Sequence, residues 1–225
     1  MLLSTELLYL LQLSSPALPV GAYSYSEGLE SLVFQQKITD EQQLFTWLDR
    51  ELSNGSIRLE TSVLLRIYQN DISDNLEAIN YWNRYLSATR ETAELREQSW
   101  QMGQSLIRLL GELEPNLVSS IATISPPYNY ATAWAIAAAC WKIQSETAIV
   151  SYLYSWATNI ITAAIKSIPL GQTAGQKLTL ELQPTILQAA AEIMTLQDNE
   201  LGTFSWGMVL AGMEHEIQYS RLFRS

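Results

Sequence analysis

The sequence predicts an all-α protein, a single compact domain over residues 1–225 with about ten helices and no sheet. Three observations predict this. Apolar residues recur at helical spacing through most of the chain. No run shows sustained two-residue alternation with β-branched residues. No Gly/Ser linker, low-complexity tract or fixed-period repeat divides the sequence.

The elements follow in order. Leu3 to Leu13 reads as a first helix, stopped by Ser14-Ser15-Pro16. Residues 14–25 form a Pro/Gly/Ser-rich loop with Pro16, Pro19 and Gly21. A short helix runs from Ser26 to about Gln35. Thr39 or Asp40 caps the next, which places Leu44, Trp47, Leu48 and Leu52 on one face. Asn54-Gly55 ends it. Ile57 to Gln69 and Asp74 to Ser87 are two further helices. Thr89 to Leu113 is the clearest amphipathic segment, with Trp100, Gly103, Leu106, Ile107 and Leu110 at helical spacing. Pro115 and Pro126-Pro127 bracket a less regular stretch. An Ala-rich helix spans Tyr130 to Ile143, and a long uncharged one follows to Ile168. Pro169-Leu170-Gly171 breaks it. Helices then fit Gln172 to Glu181 and Pro184 to Leu196, with Pro184 in a first turn. The last runs from about Ser205 to Tyr219, and a basic tail follows.

Charge and composition narrow the function. The formal net charge is −10, which repels phosphate backbones, so nucleic acid is excluded as a partner. The acidic surface steers toward basic protein surfaces instead. The one cysteine, Cys140, sits in an apolar Ala-Ala-Ala-Cys-Trp setting and reads as a small buried side chain. One cysteine forms no intramolecular disulfide, which fits a reducing cytosol. The apolar N-terminal stretch has Glu6 where a signal peptide needs positive charge. Thr147 to Ile165 carries no charge and is nearly long enough to span a bilayer. Its Ser151, Ser155, Thr158, Asn159 and Thr162 argue for a helix buried in protein, not in a membrane.

Catalytic and metal motifs are sparse. The lone histidine, His215, stands between Glu214 and Glu216, and no Gly-x-Ser-x-Gly elbow accompanies it. Neither His-Glu-x-x-His nor any Cys/His ligand spacing occurs, so no metal site is assigned. Gly171 to Lys177 departs from the phosphate-loop pattern in spacing and in the residue after lysine, and nucleotide binding is rejected. Gly171 and Gly175, one helical turn apart, instead let another helix approach closely. Seven Trp and eleven Tyr suit a binding protein, since these residues dominate interface hot spots.

Three segments carry a family resemblance. The first is Ser15-Pro16-Ala17-Leu18-Pro19-Val20-Gly21-Ala22-Tyr23-Ser24-Tyr25-Ser26-Glu27-Gly28-Leu29-Glu30. The second is Lys166-Ser167-Ile168-Pro169-Leu170-Gly171-Gln172-Thr173. The third is His215-Glu216-Ile217-Gln218-Tyr219-Ser220-Arg221-Leu222-Phe223-Arg224-Ser225. Arg90-Glu91-Thr92 with Arg96, Ser99 and Gly103 adds a weaker match. In this order and together, the segments resemble the urease accessory protein F family. Two positions depart from its usual pattern: Glu214 and Gln104 stand where basic residues are common.

The resemblance implies an all-α homodimer that is not an enzyme and uses no cofactor. It implies a cytoplasmic complex with accessory protein D (also called H) and the nickel-binding GTPase G. That complex delivers nickel to apo-urease. On this resemblance Lys166, Pro169, Gly171 and Gln172 are expected to face the GTPase. His215, Tyr219, Arg221, Leu222, Phe223 and Arg224 belong to a segment whose tail, 217–225, docks on accessory protein D. Tyr23, Tyr25 and Glu30 either pack over the core or contribute partner contacts. A reading from another class stays open, a helical hydrolase or lyase with a site around His215 and Glu216. A deep pocket lined by His215 and further acids would favour it; a broad apolar, aromatic surface favours the scaffold. A nickel-storing protein is a third reading, disfavoured by the shortage of His and Cys.

Overall fold

The computed structural model describes residues 4–70, 75–115, 121, 124–203, 206–216, 219 and 221–224. Among them it is all-helical, with no strand. The α-helices are α1 (Ser4–Leu13), α2 (Leu29–Phe34), α3 (Glu41–Asn54), α4 (Ser56–Gln69), α5 (Leu76–Thr89) and α6 (Ala93–Leu113). They continue as α7 (Tyr130–Cys140), α8 (Ser145–Ser167), α9 (Gln172–Glu181), α10 (Gln183–Thr195) and α11 (Trp206–Glu216). Short 3-10 turns occupy Ala22–Ser24 and Asp198–Glu200.

Three helices make the centre. The Ala-rich α7 is buried from Ala131 to Ala138 and packs against both α4 and α6. Its small side chains let those neighbours come close, and Trp134 fills the remaining volume. Helix α4 is buried on nearly every side and also meets α5 and α8. Helix α8 lies against α10, α4 and α9. Its length and apolar composition would suit a membrane span, yet most of its apolar stretch is buried inside the protein. It is a core helix here, as its hydroxyl and amide residues predict.

Local chemistry sets the boundaries. Asp40 caps α3 by accepting from Gln43 N at 2.8 Å. Thr92 caps α6 by accepting from Leu95 N at 3.2 Å, so the expected helix from Thr89 splits at Arg90–Thr92. The expected helix Tyr130–Ile143 ends at Cys140, because Lys142 turns left-handed (φ 54°) and α8 starts afresh. The short second helix begins at Leu29 and not Ser26, since Gly28 sits at φ 80°. The fifth helix is described from Leu76, capped by Asn75; the expected start at Asp74 lies outside the described residues. So does Ser205, the expected start of the last helix. That helix is described as far as Glu216; Tyr219, its expected end, lies in a bend.

Long-range polar contacts bring distant segments together. Glu6 in α1 accepts from Gln144 N at 3.0 Å, and Tyr9 stacks on Trp141 at 5.0 Å. Asn83 in α5 binds the 125–129 segment through Pro127 O at 2.9 Å and Asn129 N at 3.0 Å. Arg66 reaches from α4 to Leu196 O and to Asp198, which fixes the turn after α10.

Candidate protein-interaction site

The three segments that carry the family resemblance meet at one edge of the molecule, around a strap formed by residues 221–224. Gly28 makes the first junction. Its φ of 80° disfavours any side chain, and a Cβ there would press on Gly212 N at 3.2 Å, where α11 rests on the start of α2. That packing carries His215 in α11 to Glu30 in α2, and α6 supplies Glu94 from the other side. The imidazole Nδ1 is 2.9 Å from Glu94 Oε2, and Nε2 is 3.3 Å from Glu30 Oε2. His215 is fully buried.

Glu30 does a second job. Its Oε1 accepts from Leu222 N at 2.7 Å and its Oε2 from Phe223 N at 3.0 Å. Two successive backbone donors on one carboxylate fix both position and direction of the strap. Arg221 pairs with Glu94 and donates to the Glu216 carbonyl. Arg224 N donates to Ser24 O at 2.9 Å, which ties the strap to the turn carrying Tyr23. Phe223 is buried, and the Lys166 ammonium lies 5.7 Å from its ring centroid. That is cation–π geometry, and it brings the C-terminal end of α8 to the strap.

The strap therefore has an inner and an outer side. Phe223 anchors it, whereas Leu222 is 74% exposed and Tyr219 fully so. Tyr23 is exposed at 69%, next to the Ser24 carbonyl that the strap grips. Tyr25 points inward, and its hydroxyl donates to Gln101 at 2.7 Å. Pro169, Gly171 and Gln172 are exposed in the turn that follows α8. Gly171 has open space where a Cβ would go, so of the two expected contact glycines only Gly175 is needed: its Cβ would fall 2.7 Å from Ile165 Cδ1. Residues 217, 218, 220 and 225 of the tail lie outside the described residues.

This geometry does not suit an enzyme site around His215. Both ring nitrogens are engaged and the ring is closed off from solvent. The nitrogens face opposite directions, so Glu30 and Glu94 do not converge with the ring on one ion. Among the described residues no group of three or more His, Cys, Asp and Glu is placed to hold a metal.

A second polar cluster, which sequence reasoning missed, lies inside the molecule. Arg90 pairs with Glu60, and Tyr152 donates to Glu60 at 2.8 Å. Glu27 accepts from Trp156 Nε1 at 2.7 Å and from Gln98 at 2.9 Å. These residues line a cavity of 140 Å³ roofed by Leu13–Pro16 and Leu18–Tyr23; His215 is not part of it. Burial pushes the Glu27 carboxyl above the ordinary carboxylate range, against the Trp156 hydrogen bond. Burial, and then the charge of Glu60, push the Tyr152 and Tyr130 hydroxyls upward as well. Arg90 had surfaced in the sequence only as part of a weak match. Glu60 gave no signal, because one acid within an apolar helix reads as solvent-facing.

The UreF family model matches residues 38–183. A urease accessory protein UreF from Trichormus variabilis is 57% identical over 97% of this chain and 95% of its own. The Microcystis aeruginosa protein of the same name is 56% identical over the full length of both. That from Alkalilimnicola ehrlichii is 42% identical over 95% of this chain and 93% of its own. The identity runs through the helical core and past both ends of the family match, and on this ground the chain belongs to the UreF family of urease accessory proteins.

Proposed function

We propose that this chain is a urease maturation scaffold. It forms no covalent bond itself; it presents shaped helical surface to other proteins in the cytoplasm. Its partners in this reading are accessory protein D (or H), the GTPase G and, through their complex, apo-urease awaiting nickel. A second copy of the chain completes a homodimer. The observation that carries the reading is the convergence on one edge of residues from all three resembling segments: Tyr23 and Glu30, Lys166, and His215 with the strap 221–224. Family membership supplies the link to urease.

Two faces follow. The strap offers Leu222 and Tyr219 outward, held by Phe223 beneath, and fits docking on accessory protein D. The turn with Pro169, Gly171 and Gln172, next to Lys166, fits the GTPase. Aromatic and aliphatic side chains held rigidly lose little entropy on binding, which favours such anchors.

The test is co-purification with accessory proteins D and G, followed by urease activation with and without this chain. Deleting residues 217–225 is expected to abolish recovery of accessory protein D while the helical content stays unchanged. Lys166→Ala is expected to lower recovery of the GTPase. Full nickel loading of urease in cells lacking the chain would overturn the scaffold reading, as would turnover of a small substrate by the purified protein.

A further inference from the structure

We propose that the cavity beneath the Leu13–Tyr23 loop is a binding site for a small neutral amide. The site goes beyond the scaffold reading and does not depend on it, since neither His215 nor the strap lines the cavity.

Three polar atoms of lining residues lack a partner. Arg90 Nε, Ser14 Oγ and Ser155 Oγ are each shut off from solvent, and none has a hydrogen-bond partner within the protein. Buried polar groups left unmade in this way cost free energy. Arg90 is the most constrained of the three. Its side chain is 8% exposed, and its Nη2 already serves Glu60 and, at 3.3 Å, the Ser99 hydroxyl. The guanidinium is thus held with its Nε–H to spare, and that group only donates. Both serine hydroxyls can donate as well. This part of the wall calls for an acceptor.

Glu27 offers the complement. Its Oε1 accepts from Gln98 and its Oε2 from Trp156. Each carboxylate oxygen has a second lone pair, which can take an N–H from a ligand. Arg90 and Glu27 lie near enough for their charges to interact. Spare donors and spare acceptor capacity therefore border one space.

Charge and size narrow the class. Arg90 and Glu60 balance each other. An anion would add its charge to those of Glu60 and Glu27, and a cation would stand beside the Arg90 guanidinium. A neutral ligand meets neither penalty. The cavity measures 140 Å³. A buried space of about 150 Å³ admits a molecule the size of benzene, so an amide of about four to six heavy atoms fits. Leu13, Leu18, Leu95, Met102 and Trp156 supply apolar wall for its carbon skeleton. A primary amide carries a carbonyl acceptor for Arg90 Nε and Ser155, and N–H donors for Glu27. A ketone brings no donor, and an alcohol has one oxygen for both roles.

The experiment titrates the full chain with acetamide and with urea, below denaturing concentration, and reads the backbone amide NMR shifts of residues 14–23. Acetate and guanidinium, matched in size and planarity, are the charged probes, and benzene is the apolar one. The expected result is saturable one-site binding of both amides, tighter than either charged probe by about tenfold or more. Ser155→Leu, which fills the cavity, is expected to abolish it. Arg90→Lys keeps the cation opposite Glu60 but removes the Nε donor, and is expected to weaken acetamide binding about tenfold. A linear response to both amides, without saturation, overturns the site and leaves the cavity a hydrated packing space. Equal binding of acetate or guanidinium overturns the neutral class, and equal binding of benzene overturns the amide. Unchanged saturation in Ser155→Leu places the binding elsewhere and overturns the assignment. The probe series on the unaltered chain decides the question if either variant fails to fold.

Discussion

The centre of the molecule and its C-terminal edge each set carboxylates against a buried nitrogen-bearing side chain, but they draw on different kinds of chain. At the centre, Arg90 meets Glu60, with Tyr152 and Glu27 beside them. Glu60 and Tyr152 project from the long packed helices α4 and α8, and Arg90 sits in the tight break before α6. At the edge, His215 meets Glu30 and Glu94, but part of the cluster comes from a strap with one buried anchor, Phe223. The central cluster opens only when several helices separate. At the edge, His215, Glu30 and Glu94 also sit on helices, and only the contacts of Arg221, Leu222 and Phe223 depend on the four-residue strap. Carboxylates are thus enclosed by long packed helices in one place and border a short strap in the other.

That contrast is broken most sharply at Arg90. Arg90→Met leaves buried Glu60 without its cation, and is expected to destabilise the protein by about 3–5 kcal/mol in urea unfolding. A loss under about 1 kcal/mol would show that the central pair contributes little to the joint. Glu27 gives a pH-dependent counterpart. Burial holds its folded carboxyl above the ordinary carboxylate range. Its contribution is therefore fully present below the unfolded value and is lost as pH rises through the folded one. The stability of the unaltered chain minus that of Glu27→Gln is expected to fall with rising pH, whatever the constant offset between them. A pH-independent difference would count against the raised titration.

At the edge the effects are local. Phe223→Ala is expected to expose the Leu222 amide to exchange while shifting global unfolding by no more than about 0.5 kcal/mol, far below the ~3–5 kcal/mol of a Phe→Ala change in a true core. A core-sized loss would mean that the strap and the helices unfold as one unit. Lys166→Ala removes a cation–π contact at an exposed site, worth under about 1 kcal/mol. Its effect on stability is expected to be the smallest of the set, so a large fall in GTPase recruitment would reflect contact and not unfolding.

Much of this architecture is legible in the sequence. Asp40 as a cap, Pro184 in a first turn and the alanine run of α7 each carry a local signal, and each fixes its element. The break before α6 is less visible, because Thr92 as a cap interrupts a pattern that is periodic on both sides of it. Of the interaction edge, the sequence names Glu30, His215, Lys166 and the tail but not their junction. Glu94 completes the clasp from 121 positions away, and on α6 it reads only as one of several acids off the apolar face. Glu27 and Glu60 are hidden for a related reason. A buried acid is distinguished from a surface acid by its partners, and Trp156 and Arg90 come from remote segments. Spacing along one helix reports which side a residue faces, not what another helix brings to it.

Gly175 seats α9 against α8 away from the interaction edge. Its missing side chain is the room into which Ile165 and Ile161 of α8 press. One added methyl would lie 2.7 Å from the Ile165 side-chain tip, so Ile165 has to turn aside for α9 to keep its place. The turn with Pro169 and Gln172 therefore rests on a contact that its own residues do not make.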